Sequence, residues 1–206
     1  MASLIMHLCV AKNINAEFDN DSDFILGTLL PDFVLERNAH FRDSEGEKRF
    51  FNISAFREAN YEKIKNDSLY LGYYLHLVQD VAFRKLVYNK YSWNPHIAGN
   101  VERLYGDYRK LNSLLAEEFL LNCNIIKAVE KSSKKALKDF IYEPMYMRDC
   151  LMGDLENKET GDFFFLTPEK AYEFILCATE LCLNEVAALE GNAPHIDEKK
   201  HAWNKV

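Results

Sequence analysis

Fifteen consecutive residues, Leu69 to Phe83 (LYLGYYLHLVQDVAF), constrain this chain more than any other stretch. Apart from the tyrosines, only His76, Gln79 and Asp80 are polar there. The spacing predicts a helix with apolar side chains in nearly every direction, which must be buried on most sides. A buried carboxylate such as Asp80 costs several kcal/mol or more unless a partner or a metal ion neutralises it. The chain has 206 residues, of which 48% are hydrophobic, enough to enclose such a helix in one domain.

The flanking sequence reads as further helices. Leu4 to Phe18 carries Leu4, Leu8, Ala11 and Ile14 at helical spacing, with Ser3 as its cap. Asp23 to Leu30 is short and apolar and stops at Pro31, which leaves Asp32 at a turn. Asn38 to Lys48 is polar and reads as a loop carrying His40 and Phe41, followed by a short helix over Asn52 to Lys65. Asp67 or Ser68 caps the central helix, which extends to Tyr88. Ile97 to Phe119 is long and amphipathic with a break expected near Gly106, and Asn124 to Phe140 follows. Pro144 opens a helix running to about Lys158, and Thr167-Pro168 opens the last, to about Leu189. Phe163-Phe164-Phe165 is strand-like but too short for a sheet. The expectation is an all-α fold: a single bundle of roughly seven helices over residues 1–190, then a loose polar tail over 191–206.

Charge and cysteine usage narrow the setting. A formal net charge of −7 disfavours general binding to duplex nucleic acid, which needs a basic face. Lys127 to Lys138 holds five lysines and one acid, and reads as a solvated helix face. The five cysteines form no CxxC pair and suit a reducing compartment. The N-terminus lacks a basic segment before an apolar one, and no apolar run reaches the ~18–20 residues of a membrane span. A cytoplasmic protein with no transmembrane segment is expected.

His76 and Asp80 stand four residues apart and project from one face of the central helix. Gly72 lies one turn earlier on that face and is read as leaving room beside them. A neutral imidazole and a carboxylate held this way suit a divalent cation. Taken alone, the HxxxD pair equally describes two core side chains that satisfy each other. His7 in mid-helix, Asp32 after Pro31 and His40 in its polar loop also have ordinary readings singly, as a core histidine, a cap and an exposed side chain. Their order along the chain is what forms a pattern.

That order is His7, then LGTLLPDF ending in Pro31-Asp32, then His40-Phe41, then LGYYLHLVQD. It resembles the zinc-dependent phospholipase C family, whose helical fold is shared with P1-type nucleases, over roughly the first ninety residues. The resemblance implies His7, Asp32, His40, His76 and Asp80 as metal ligands, with Asp80 the candidate for bridging two ions. Asp32 is also implied to lie near the reacting water. Secreted members use an N-terminal Trp and a later HxxxE pair; this chain has neither, and His96 is followed four residues on by Asn100. Asp107 is read either as a later carboxylate ligand or as a surface residue near Arg103 and Lys110.

The chemistry so implied is hydrolysis of phosphoric esters by metal-activated water, with one or two ions. Zinc leads, and manganese or iron fits as well. Asp32 is the residue expected to orient or deprotonate the water. A small phosphoester or a phospholipid head group is the expected substrate. Arg84, one turn beyond Asp80, is expected either to meet a phosphate or to pair with Asp80. Tyr73, Tyr74, Trp93 and Tyr105 are read as core or as walls of a substrate cleft. The other reading is a non-catalytic metal-binding or helical interaction protein.

Overall fold

The computed structural model describes residues 2–204; Met1, Lys205 and Val206 lie outside the described residues. The fold is a single, predominantly α-helical domain. Its helices are α1 (Leu4–Ile14), α2 (Ser22–Leu29), α3 (Ile53–Asn66), α4 (Ser68–Phe83), α5 (Asn100–Glu118), α6 (Asn124–Ala136), α7 (Pro144–Glu156) and α8 (Pro168–Leu189). A 3₁₀ turn, Leu30–Asp32, closes α2. Three short strands, β1 (Arg42–Glu45), β2 (Lys48–Phe51) and β3 (Trp203–Asn204), form one antiparallel sheet with β2 in the middle. Among the described residues, no helix is long and apolar enough to cross a membrane.

The central helix α4 is capped by Asp67, whose side chain accepts from the Leu69 amide, and every residue from Leu69 to Phe83 except Leu71 is buried. It packs between α2, α3 and α8. Against α2 the contact is backbone to backbone. A Cβ added at Gly27 would lie 2.1 Å from the Leu69 carbonyl oxygen, and one at Gly72 would lie 2.5 Å from that of Phe24. Gly72 therefore does not leave room beside His76 and Asp80. It is spent on the approach of two helices.

Past Phe83 the helix continues as a π-helical turn, Arg84–Lys90, in which the Tyr91 amide donates to the Leu86 carbonyl at 3.0 Å. The expected helical reach to Tyr88 is present, but its last part has wider winding. α5 runs through Gly106 without a break.

Two further expectations fail, the loop after Phe41 and the loose tail, each for a physical reason. The polar stretch after Phe41 is a hairpin rather than a loop: Gly46 takes φ +57° at the first turn position, and β2 ends in the buried Phe50 and Phe51. The strands carry little strand propensity, so they are set by the turn and by those two rings. Phe163–Phe165 joins no sheet, as expected. The amides of Phe164, Phe165 and Leu166 each donate to the Asp107 carboxylate at 2.8 Å, which uses the groups a neighbouring strand would need. The described part of the tail, residues 192–204, is not loose; Lys205 and Val206 lie outside the described residues. His195 and the Ile196 amide donate to the buried Glu185, which also accepts from Tyr74 Oη at 2.6 Å, and β3 returns to pair with β2.

Gly72→Ala tests the helix contact. Alanine gains ~1 kcal/mol of helix propensity, but overpacking against an immovable carbonyl costs up to ~3 kcal/mol. We expect a net loss of about 2 kcal/mol, read as a lower urea midpoint; an unchanged or raised midpoint would refute the close approach.

Candidate metal centre

Four segments deliver the five expected ligands to one place. α1 brings His7, the turn after α2 brings Asp32, the loop before β1 brings His40, and α4 brings His76 and Asp80. The His40 loop is held by the Tyr73 hydroxyl, which donates to the Ala39 carbonyl at 2.7 Å. Phe41 follows with φ +50°, a left-handed conformation unfavourable for a large side chain, and its ring meets Phe56 edge-on.

The inner half of the cluster is sealed. His7, His76 and Asp80 are fully buried, and the two imidazoles stack with centroids 3.9 Å apart. Each uses its Nδ1 on the protein: His76 toward the Thr28 carbonyl at 2.8 Å, His7 toward Gln79 Oε1 at 2.8 Å. Both acceptors place a proton on Nδ1, which leaves Nε2 of the neutral His76 ring as a bare lone pair. Both Nε2 atoms and both Asp80 oxygens are buried without any hydrogen-bond partner. Asp80 Oδ1 lies 3.9 Å from His7 Nε2, while Oδ2 lies 3.8 Å from His76 Nε2 and 3.7 Å from His40 Nε2. Those separations are too long for hydrogen bonds. They are of the order expected between donors sharing one cation, ~3–4 Å for ligand bonds of ~2 Å.

The outer half is open. Asp32 Oδ1 and His40 Nε2 lie 3.2 Å apart, and their side chains keep 13% and 11% exposure. Two clefts meet at Asp32. One of about 470 Å³ is walled by Phe33, Tyr105, Tyr108 and Asp154; a smaller one of about 170 Å³ is lined by His40, Arg37 and Arg42. His7, His76 and Asp80 form one potential chelating group, and Asp32, His40 and His76 a second, with His76 common to both.

Burial would raise the Asp32 carboxyl, but the surrounding His76, His40 and His7 imidazoles outweigh it and hold the group well below the usual carboxylate range. Burial, together with the neighbouring His7, pushes His76 down to about 3. At neutral pH the site therefore presents a neutral imidazole at His76 and an anion at Asp32.

The remaining sequence candidates fall elsewhere. Asp107 is fully buried and committed to three amides, so it is neither a ligand nor a surface residue. Arg84 makes no ion pair with Asp80; its guanidinium lies over Tyr88 at 3.7 Å and Trp203 at 4.3 Å. Tyr73, Tyr74 and Trp93 are core, whereas Tyr105 is exposed and walls the cleft beside Asp32. Gln79 and the Thr28 carbonyl are supporting groups that residue type and spacing did not assign. Gln79 carried a signal, as the third polar residue of a buried helix; a main-chain carbonyl carries none.

No family model, curated protein or solved structure matches this chain.

Two outcomes follow from this geometry. Gln79→Leu removes the acceptor that fixes the His7 tautomer, and should weaken metal affinity by about 10–100-fold in a chelator competition; unaltered affinity would show that Gln79 does not orient His7. In chelated protein, His76 titrates at about 3 when folded, below its ordinary 6.5. The unfolded chain takes up the proton first, so stability should fall as pH drops from about 6.5 toward 3. Urea midpoints that stay flat across that window would contradict the assignment.

Proposed function

We propose that this protein is a metal-dependent hydrolase of phosphoric esters, acting on a small phosphoester or phospholipid head group in a reducing, cytoplasmic setting. The observation that carries the reading is the set of unpartnered buried donors on His7, His76 and Asp80 facing one another beside the half-open Asp32–His40 pair. Two neutral nitrogens and a carboxylate suit a divalent cation, zinc first and manganese or iron next. The order of these residues, similar to that of the zinc-dependent phospholipase C family, supports the same reading.

His7, His76 and Asp80 would hold the ion on the sealed side, and His40 and Asp32 on the open side. Asp80 turns one oxygen toward His7 and the other toward His76 and His40, a disposition suited to bridging two ions. Such an ion, when bound, supplies an activated water near neutral pH and stabilises charge on a phosphoryl oxygen. The chain supplies the rest. Asp32, ionised and at the mouth of both clefts, orients the attacking water through its free oxygen. A carboxylate so readily ionised is a weak base, so orientation rather than proton removal is its part. Arg37 and Arg42, set against Glu36 in the smaller cleft beside His40, are the cations there that an anionic ester could meet. The buried wall of His7, His76 and Asp80 excludes bulk water behind the reacting group.

One observation favours a second reading, a metal-binding protein without turnover. Asp107, the later carboxylate, is tied to the Phe164–Leu166 amides, which leaves a smaller ligand set than the phospholipase-like family uses. A self-satisfying helical interaction module fits less well, because its histidines and Asp80 would be hydrogen-bonded to one another.

Metal content and hydrolysis test these readings together. Tag-free protein reconstituted with zinc, manganese or iron should hold at least one ion per chain and cleave some member of a panel of phosphomonoesters, phosphodiesters and phospholipids. Asp80→Asn should weaken metal binding by more than about 100-fold and remove turnover with it; His201→Ala should change neither. Bound metal with no turnover on any ester would support the non-catalytic reading. Metal far below one ion per chain would sink both.

A further inference from the structure

On the far side of the π-helical turn lies a cavity of about 450 Å³ that contains none of the five metal-site residues. Its walls come from β2, the π turn, the Trp93–His96 segment and β3. Lys48, Arg49 and Arg84 bring positive charge, and Tyr88, Trp93 and Trp203 bring aromatic surface. No Asp or Glu is among the described residues that line it. In a chain with formal net charge −7, a concave surface whose described residues include three cations and no acid is a pronounced asymmetry.

Two donors there lack partners. Trp93 is only 6% exposed, and its indole N–H makes no hydrogen bond; Arg84 Nε is buried and equally unpaired. Buried donors of this kind are uncommon in native folds and call for an acceptor. Arg84 is also pre-positioned. Its plane is clamped between Tyr88 and Trp203, and among the described residues it forms no ion pair. A planar guanidinium fixed in this way matches the oxygens of a phosphate. The volume lies within the range of small-molecule sites and exceeds what a bare inorganic anion fills.

We propose that this cavity binds an aromatic organic phosphate, of which a nucleoside monophosphate is the simplest kind, at a site separate from the metal centre. Arg84, Arg49 and Lys48 meet the phosphate, the Trp93 N–H offers a further donor, and the half-buried Trp203 and Tyr88 rings lie against the flat group. The assignment does not depend on any metal being bound or on hydrolysis.

The chain provides its own reporter, because its two tryptophans, Trp93 and Trp203, both line the cavity. Full-length protein titrated with AMP at low ionic strength should show a saturable change in tryptophan emission. Inorganic phosphate and adenosine, lacking the ring and the anion respectively, should each bind at least about tenfold more weakly. Arg84→Met and the exposed Arg49→Ser should each weaken AMP binding, by about tenfold or more for Arg84, and added salt should do the same. Arg49→Ser leaves the core untouched, so it decides the matter even if Arg84→Met fails to fold. The site is refuted by the absence of saturable binding, or by AMP affinity unchanged in Arg49→Ser. Inorganic phosphate binding as tightly as AMP overturns the aromatic part, and adenosine doing so overturns the anionic part. None of these outcomes depends on the metal assays, so the two readings stand or fall separately.

Discussion

Asp80 is the constraint around which the molecule is arranged. Its carboxylate is fully buried in the most enclosed helix, and neither oxygen has a hydrogen-bond partner. An ionised carboxylate in that position costs several kcal/mol or more without compensation. The imidazole one turn earlier does not compensate it at neutral pH, because burial keeps His76 neutral. Three histidine nitrogens approach the carboxylate at 3.7–3.9 Å and stop short of bonding to it. A core pair that merely satisfied itself would close that gap. Donors so held apart leave between them the place of the proposed cation.

The α2–α4 contact makes this geometry rigid. Gly27 and Gly72 let the two backbones touch, and the register so fixed places the next residue of α2, Thr28, with its carbonyl against His76 Nδ1. One turn of α4 separates Gly72 from His76. Pro31 ends α2 just beyond this contact, and the 3₁₀ turn there presents Asp32. A packing feature and a ligand-orienting hydrogen bond are therefore one structural unit. A bulkier residue at either glycine would displace His76 and Asp32 together.

Much of this was legible in the sequence, and the failures have identifiable physics. The helices follow from apolar spacing and from caps such as Ser3, Asp67 and Thr167-Pro168. The five site residues meet because their order along the chain carried information that no single residue did. The hairpin was not legible: apart from Phe50 and Phe51 its residues are polar and carry little strand propensity, and the strand that completes its sheet lies some 150 positions away. Gly72 was misread because a glycine on a ligand-bearing face suggests space, whereas only the neighbouring helix shows that the space is filled. Asp107 was misread because acid flanked by Arg103 and Lys110 looks solvated, and its three amide partners lie more than fifty residues downstream.

Arg84 shows how local geometry overrides a spacing rule. Four residues after Asp80, it should pair with that carboxylate across one turn. The winding widens from Arg84 onward, and the guanidinium is taken up by Tyr88 and Trp203 on the other side of the turn. The carboxylate thereby keeps both oxygens for the cluster with His7, His40 and His76, and the guanidinium keeps its charge for the basic cavity. Had the pair closed, each would have neutralised the other, and the cavity would have lost the most buried of its three cations. The backbone between the two is still α-helical, with the Arg84 amide donating to the Asp80 carbonyl, so the aromatic rings that hold the guanidinium, and not the winding, keep the charges apart.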